Sequence, residues 1–342
     1  MSKFDTGVDK ELRRLIRQME RTCSEMMERE RRAPGTVLES RACPACGEER
    51  SSGQLAGSLF PYVRCATCTL LYMSPALPAT TVEAGFSHED TWTREYWSLM
   101  KARIRLDDIP GPVQARQHPV LREVLSHRSG GRLLDVGCSF GQFMAHARHF
   151  FEVEGLEINP ETAAMARARG LVVHEGRIED REGKDVYDVI TLNQLLYGLH
   201  DPLALVRETA RLLRPGGLLY INTPHADSLA MRWFAGKHCH VLGKVNLNVF
   251  NRRSLMTMAG RAGLEPVAFH TEWLNLYGPD ILVHALLPRA FVHRRNTFVP
   301  AYSAWCRMDE WLQRRLMGNR FPALGDYAVA VFCKPGRVVV GA

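Results

Sequence analysis

The sequence predicts an α/β protein with a parallel sheet covered by helices on both faces, extended by a small cysteine-rich module and by helical additions. From residue 131 onward, short apolar strand patterns alternate with helical patterns, as in successive βα units. Ahead of that region, four of the nine cysteines form two closely spaced pairs. The 342 residues favour one large domain with an attached module.

Composition favours a folded protein without membrane segments. Hydrophobic residues make up 46% of the chain, which is enough for a sizeable core. No apolar run is long enough to cross a bilayer, and the polar N-terminus has no signal-peptide core, so we expect a cytoplasmic protein with no membrane partner. The net charge of +7 is spread among acidic residues, which argues against a nucleic-acid partner.

The first 129 residues are predicted to form three segments. Apolar positions at helical spacing predict an amphipathic helix within residues 1–35, which ends at Pro34 and Gly35. Residues 36–76 are rich in turns and carry the paired cysteines. Residues 77–129 are predicted to form a helical linker or lid, interrupted near Pro110.

The paired cysteines predict a structural zinc ribbon. Their spacing, C-x2-C-x18-C-x2-C, suits tetrahedral zinc, with Cys43, Cys46, Cys65 and Cys68 as ligands. In a cytoplasmic protein such pairs indicate metal rather than disulfides, and the alternatives to zinc are an iron–sulfur cluster or a chance pairing of cysteines. All four ligands are cysteine, so no position is left for a reactive water. The metal should supply much of the folding energy of so small a module.

Residues 130–275 are predicted to form the main domain. The predicted strands are Arg132–Val136, 152–158, 171–174, 188–192, 218–222, 266–273 and, beyond an insertion, Tyr327–Cys333. The predicted helices are 142–150, 160–169, 203–213 and 253–262, and a turn at 214–217 precedes the fifth strand. Residues 276–325 are predicted to be a helical insertion that forms a cap or the arm of a homodimer, and residues 326–342 the last strand and tail.

A glycine-rich loop, DVGCSFG at residues 135–141, joins the first strand of this domain to its first helix. Glycines let the backbone turn tightly and approach a ligand, and a helix N-terminus favours a carboxylate or phosphate. Glu157 ends the second strand, where an acid can accept hydrogen bonds from ribose hydroxyls. Loop and acid together also fit a dinucleotide dehydrogenase, although Ser139 stands where the dinucleotide fingerprint has glycine.

The following residues resemble the later motifs of class I S-adenosylmethionine (SAM) methyltransferases. The matching strings are YDVITLN at 187–193, HDP at 200–202 and RLLRPGGLLY at 211–220. The resemblance implies SAM as cofactor and a Rossmann-like sheet of seven strands, of which the last is antiparallel.

Matched position by position, the resemblance implies three groups of cofactor contacts. The methionine end of SAM would be held by Asp135, Gly137, Cys138 and Gly141. The ribose and the adenine would be contacted by Glu157, Ile158, Arg177 and Ile178. Asn193, at the end of the fourth strand, would lie under the sulfonium.

A zinc ribbon directly ahead of such a domain is similar to bacterial methyltransferases of sugar, polysaccharide and natural-product pathways. This resemblance implies methyl transfer to a small-molecule or sugar acceptor in a biosynthetic pathway, with O-methylation favoured over C-methylation. One alternative is an rRNA base methyltransferase whose zinc ribbon contacts RNA. A second is a non-catalytic scaffold with a SAM-binding fold.

The general base is less well defined, because the Glu-His pair of many related O-methyltransferases is replaced by Tyr197 and Gly198. A base is needed only if the acceptor must lose a proton. His225 follows the fifth strand at the carboxyl edge, where sites of α/β proteins form, and His200 lies in the loop after the fourth strand. We therefore expect the catalytic residue among His225, His200 and Tyr197.

Overall fold

A computed structural model describes residues 38–56, 58, 60–80, 82, 110–237, 240–241, 246–272 and 324–336. The predicted N-terminal helix, most of the predicted linker and nearly all of the 276–325 insertion lie outside these residues. Within them, no helix is long and apolar enough to span a membrane.

The described residues contain ten strands and seven α-helices. The strands are β1 (Tyr62–Arg64), β2 (Leu71–Met73), β3 (Arg132–Val136), β4 (Glu152–Glu157), β5 (Val172–Glu175), β6 (Tyr187–Asn193), β7 (Leu213–Pro224), β8 (Asn248–Val249), β9 (Glu265–Glu272) and β10 (Tyr327–Cys333). The helices are α1 (Pro112–Ala115), α2 (Pro119–His127), α3 (Gln142–Ala147), α4 (Pro160–Ala168), α5 (Pro202–Leu212), α6 (Leu229–Phe234) and α7 (Arg252–Arg261).

Seven of the strands form one mixed sheet in the order β5-β4-β3-β6-β7-β10-β9. The pairs from β5 to β7 are parallel, whereas β10 runs antiparallel to both β7 and β9. The prediction of a Rossmann-like seven-stranded sheet with an antiparallel last strand is therefore confirmed. The bounds of β3 and β10 agree with the sequence prediction, and α3 ends three residues earlier than the predicted 142–150.

Helices cover both faces of this sheet, and neighbouring residues of each strand point to opposite faces. Leu133 packs in a cluster with residues of α1, α2 and α3, whereas Leu134 packs in a second cluster with residues of α5 and α7. Val189 and Ile190 of β6 divide between the two clusters in the same way. The near-continuous apolar runs of these strands thus follow from burial on both faces.

Strand β7 differs from its prediction. It covers Leu213–Pro224 rather than 218–222, and the turn at 214–217 lies inside it as an excursion where the register against β6 shifts. Gly216 takes a φ of +76° there, which favours glycine, and its N–H donates to the Lys334 carbonyl at 2.8 Å. The end of β10 therefore holds the excursion within the sheet.

The remaining three strands form an antiparallel sheet in the order β1-β2-β8. Strand β8 belongs to the region predicted as the main domain, yet Asn248 pairs in register with Tyr72 of the cysteine-rich segment. Leu70 and Tyr72 also lie in the same buried cluster as Leu134 of the large sheet. The ribbon and the main domain thus share one sheet and one core, and the domain boundaries drawn from sequence stay a prediction.

The buried carboxylate of Asp188, at the start of β6, connects residues at the amino edge of the large sheet. Asp188 accepts hydrogen bonds from the Arg132 backbone N–H at 2.9 Å and from the guanidiniums of Arg128 and Arg214 at 2.7 and 2.8 Å. Burial opposes ionisation, but these three donors together hold the pKa of Asp188 below its ordinary value. Arg214 belongs to the turn inside β7, so this contact anchors that turn as well.

We predict that Asp188→Asn lowers the free energy of unfolding by about 2–3 kcal/mol at neutral pH, because charged hydrogen bonds are lost in a buried setting. Since the folded pKa is depressed, this stabilisation is present above the ordinary pKa and lost as the pH falls. The difference from the wild type should therefore shrink below about pH 4. Urea unfolding at several pH values measures both effects.

Asp227→Asn serves as the control, because Asp227 is 41% exposed and forms a surface ion pair with Arg64. Its effect should stay below about 1 kcal/mol. Equal effects of the two substitutions would contradict the role given to Asp188.

Candidate cofactor and metal sites

The predicted cofactor residues come together where β3, β4, β5 and β6 end, because the carboxyl ends of parallel strands meet at one edge. Asp135 lies in register with Gly155 on one side and Thr191 on the other. After β3, the N–H groups of Gly137 and Cys138 donate to the Leu156 carbonyl at 2.8 and 3.2 Å. The loop is thus fastened to the end of β4.

The loop depends on left-handed backbone at three positions. Gly137, Ser139 and Gly141 have φ values of 72°, 51° and 70°. A Cβ on Gly137 would lie 3.1 Å from Leu195 Cδ1, and a Cβ on Gly141 would lie 2.3 Å from Leu171 Cδ1. The left-handed backbone favours glycine at both positions, and an added Cβ would also require the neighbouring leucine side chain to shift. Ser139 is a non-glycine residue in a costly conformation, a feature that concentrates at ligand sites.

Glu157 lies beside this loop at the end of β4 and is only 9% exposed. Its carboxylate accepts the backbone N–H groups of Ser139 at 2.8 Å and Asn159 at 2.9 Å. Burial raises its pKa, although these hydrogen bonds oppose the shift. A carboxylate has about four acceptor positions, so this one retains capacity for ribose hydroxyls.

Two other loop residues are more deeply buried. Asp135 accepts a hydrogen bond from the Thr191 hydroxyl at 2.7 Å, and burial raises the pKa of Asp135 to about 7. The Cys138 side chain lies in a hydrophobic cluster with Met144. Cys138 can therefore face a cofactor only through its backbone.

The three predicted adenine contacts differ in exposure. Ile158 is 42% exposed beside Glu157, a position suited to covering an apolar ring. Ile178 is buried in the core on the α5 and α7 side, and Arg177 is exposed. The end of β5 reaches this corner, because the Gly176 N–H donates to the Glu157 carbonyl at 3.1 Å.

At the end of β6, Asn193 is half-buried and lies in register with Asn222 of β7. The next residue, Gln194, was missed by the sequence analysis. It has a φ of 55°, its N–H donates to the Asn222 carbonyl at 2.9 Å, and its side-chain amide donates to the Asn222 Oδ1. A left-handed glutamine has no signature in the sequence, since Gly, Asn and Asp are the residues that indicate such a conformation.

The candidate bases occupy two environments. His225 is 2% exposed, and its Nδ1–H donates to the Gly325 carbonyl at 3.0 Å, which leaves Nε2 unprotonated. Burial lowers its pKa, so the neutral ring is favoured. Tyr197 and His200 are half-buried in and after the short 3-10 helix Leu196–Gly198. The catalytic role of all three stays a prediction.

The four predicted metal ligands do converge. Their Sγ atoms all lie within 4.8 Å of one another, with 3.4 Å between Cys43 and Cys68 and 3.5 Å between Cys46 and Cys65. Tetrahedral zinc with Zn–S bonds of about 2.3 Å requires sulfur separations of about 3.8 Å. The thiols therefore fit a four-coordinate zinc ion with only small adjustments.

Each cysteine pair lies on a tight knuckle that ends in left-handed backbone. Gly47 has a φ of 77° after the first pair, and Thr69 has a φ of 62° after the second. The N–H groups of Thr67 and Cys68 lie 3.4 Å from the Cys65 sulfur, as in knuckles that stabilise a thiolate. Thr69 was not expected in this conformation, and the Asn251 amide donates to its hydroxyl at 2.9 Å.

A family model described as a methyltransferase domain matches residues 110–268. The match contains the 135–141 loop, Glu157 and the strands β3 to β7, whose order agrees with the class I arrangement. Residues 110–268 thus match a methyltransferase domain in sequence, and the sheet has the class I strand order. The family resemblance stated from the motifs is thereby confirmed, whereas the match does not cover the four cysteines.

Several curated proteins that match part of this chain are named as O-methyltransferases. A ubiquinone biosynthesis O-methyltransferase of Xanthomonas oryzae is 34% identical over 130 residues, which is 33% of this chain and 54% of the relative. The enzyme of the same name from Sodalis glossinidius is 32% identical over 131 residues, 34% of this chain and 53% of the relative. The chain thus spans about half the length of these relatives.

Solved structures are more distant. A SAM-dependent methyltransferase from Thermotoga maritima aligns with a TM-score of 0.42 and 20% identity, covering 59% of this chain and 81% of that structure.

We predict that Glu157→Gln weakens binding of S-adenosylhomocysteine about 10- to 100-fold, because the charged acceptor of the ribose hydroxyls is lost. Isothermal calorimetry measures the affinity. Glu175→Gln is the control, since Glu175 lies in register on the next strand but is exposed and paired with Arg167. Equal affinities of the wild type and Glu157→Gln would remove Glu157 from the cofactor site.

Metal analysis of the purified chain is expected to find about one zinc ion per chain. Cys43→Ser should lose this metal and unfold at a lower urea concentration, because three thiolates remain for a four-coordinate ion. Cys333→Ser, a half-buried cysteine outside the ribbon, should retain the metal. Iron with visible absorption would indicate a cluster instead, and a metal-free protein unaffected by Cys43→Ser would contradict the metal site.

Proposed function

We propose that this chain transfers a methyl group from SAM to a hydroxyl oxygen of a small-molecule acceptor and that a structural zinc ion holds its ribbon. The observation that carries the proposal is the pairing of the left-handed loop at 135–141 with the buried Glu157 carboxylate. This pairing matches what a ribose and a methionine carboxylate need, and it lies inside a methyltransferase domain.

Bound SAM supplies an electrophilic methyl carbon on a sulfonium, so the protein mainly has to align an acceptor and exclude water. Glu157 binds the ribose, and Ile158 offers an exposed apolar surface to the adenine. Asn193 and Gln194, at the end of β6, lie at the edge where the sulfonium and the acceptor would meet. Their side chains are amides, which can orient a hydroxyl by hydrogen bonding without carrying charge.

The proposal of oxygen as the methyl acceptor rests on the curated relatives that match part of this chain. The relatives that match about a third of this chain are named O-methyltransferases of ubiquinone biosynthesis. This chain spans about half the length of those relatives, so the acceptor class is proposed as a hydroxylated small molecule and not as their substrate. A sugar hydroxyl fits the same proposal.

The proposal is tested with zinc-loaded protein, methyl-labelled SAM and catechol as a simple hydroxyl acceptor. We expect label to enter catechol as an O-methyl ether, identified by mass spectrometry, and the rate to fall with Glu157→Gln. Purified rRNA serves as the competing acceptor. Labelling of rRNA that falls steeply with salt would support the RNA alternative, since phosphate contacts release counterions.

Absence of SAM and S-adenosylhomocysteine binding by calorimetry would overturn the cofactor assignment. Cofactor binding without transfer to catechol, to sugars or to rRNA would favour the scaffold alternative. Label on a carbon atom of an acceptor would replace O-methylation by C-methylation.

A further inference from the structure

The segment between β6 and α5, residues 195–201, borders the cofactor loop directly. The Leu195 side chain fills the space beside Gly137, where a Cβ would come within 3.1 Å of it. The segment then carries Tyr197 and His200, two of the candidate bases, before Asp201 caps α5 by accepting the Ala204 N–H at 2.9 Å. The conformation of this segment therefore determines what an acceptor meets next to the cofactor loop.

One carbonyl group of this segment is bound by a side chain from the cysteine-rich ribbon. Arg41 reaches across from the ribbon, and its Nη1 donates to the His200 carbonyl at 2.9 Å. Its other donors contact the Met73 carbonyl at 2.9 Å, the Leu247 carbonyl at 3.2 Å and the Asn248 Oδ1 at 2.7 Å. One guanidinium thus joins β2, β8 and the segment 195–201.

Asn248 continues the same network from β8. While its Oδ1 accepts from Arg41, its Nδ2 donates to the Leu199 carbonyl at 2.7 Å and to the Leu196 carbonyl at 3.3 Å. Three carbonyls of the segment are therefore bound by Arg41 and Asn248. The backbone has little freedom left at these positions, because each carbonyl has a fixed donor.

The network is not an ordinary ion pair. Among the described residues, no carboxylate lies within 4 Å of the Arg41 guanidinium. Its hydrogen bonds all go to neutral oxygens, and the Asp201 carboxylate acts on it only at longer range. A largely buried cation is stable only if such acceptors stay in place, so the arrangement favours one geometry strongly. Arg41 is itself anchored, because its backbone exchanges two hydrogen bonds with the Ser74 hydroxyl at 3.2 Å.

The backbone position of Arg41 depends on the nearby metal site. Arg41 precedes Cys43 by two residues, and the register of β2 against β8 places Tyr72 opposite Asn248. The Arg41 guanidinium also lies 5.7 Å from the centre of the Tyr72 ring. When the metal holds the ribbon, Arg41 and Asn248 therefore have a defined position relative to residues 195–201.

We propose that Arg41 is a positioning residue that, with Asn248, holds residues 195–201 in place and couples metal binding in the ribbon to the acceptor side of the cofactor site. The link to the acceptor rests on the proposed function. The link between the ribbon and the segment does not, and it can be measured without any acceptor.

The test is hydrogen exchange of zinc-loaded protein, followed by mass spectrometry of peptides. In Arg41→Met, the amides of residues 195–201 should exchange at least about tenfold faster, while those of β6 and β3 stay unchanged, because only local opening becomes easier. Affinity for S-adenosylhomocysteine should stay within about threefold. With catechol as probe, kcat/KM for the acceptor should fall while the KM for SAM does not change.

Asn248→Asp is a second variant that separates the two halves of the network. Its carboxylate still accepts from Arg41 but cannot donate to Leu196 and Leu199, so exchange in 195–201 should rise while the ribbon retains its zinc. Chelation of zinc should raise exchange of this segment in the wild type and add little in Arg41→Met.

Arg50→Met is the matched control, because Arg50 lies on the same ribbon but is exposed, and among the described residues its guanidinium hydrogen-bonds to Glu48 alone. It should leave exchange of 195–201 unchanged. The proposal fails if Arg41→Met and Asn248→Asp leave that exchange unchanged, if Arg50→Met changes it equally, or if exchange rises uniformly over the whole domain. A chain that shows this exchange pattern but transfers no methyl group to catechol or to sugars would contradict the proposed function alone.

Discussion

The structure depends on the parallel pairing of β3 between β4 and β6. This register places Asp135 between Gly155 and Thr191, so that the backbone leaving β3 must turn at once against the ends of both neighbours. Gly137 and Gly141 make that turn sterically feasible, and Glu157 receives the Ser139 N–H as a consequence. The order of the strands therefore creates the edge at which the cofactor site lies, and side chains at that edge complete the site.

The cysteine-rich ribbon is structurally continuous with this domain. Its third strand is β8, which follows β7 and α6 in the chain, and its core is continuous with one face of the large sheet. A metal ion held by the four cysteines, as proposed, would add rigidity to this short segment. Arg41 and Asn248 connect the ribbon to residues 195–201 of the main domain by hydrogen bonds to backbone carbonyls. The ribbon is thus a structural part of the domain.

Much of this could be predicted from the sequence, because the deciding interactions are local. Alternating strand and helix patterns predicted the large sheet, and the spacing of cysteines predicted their convergence. The features that were missed depend on contacts between distant residues: the pairing of β8 with β2, the reach of Arg41 to His200, and the left-handed backbone of Gln194. The excursion inside β7 escaped prediction for the same reason, since Lys334 and Asp188 hold it from other strands.

The placement of β8 has a consequence for how the chain folds during synthesis. Leu71 and Tyr72 leave the ribosome early, but their partners on β8 follow only after most of the methyltransferase domain has been made. Until then β2 has an open edge that other chains could pair with. Early capture of zinc would keep the nascent ribbon compact during this interval, so zinc supply during translation should influence the yield of folded protein.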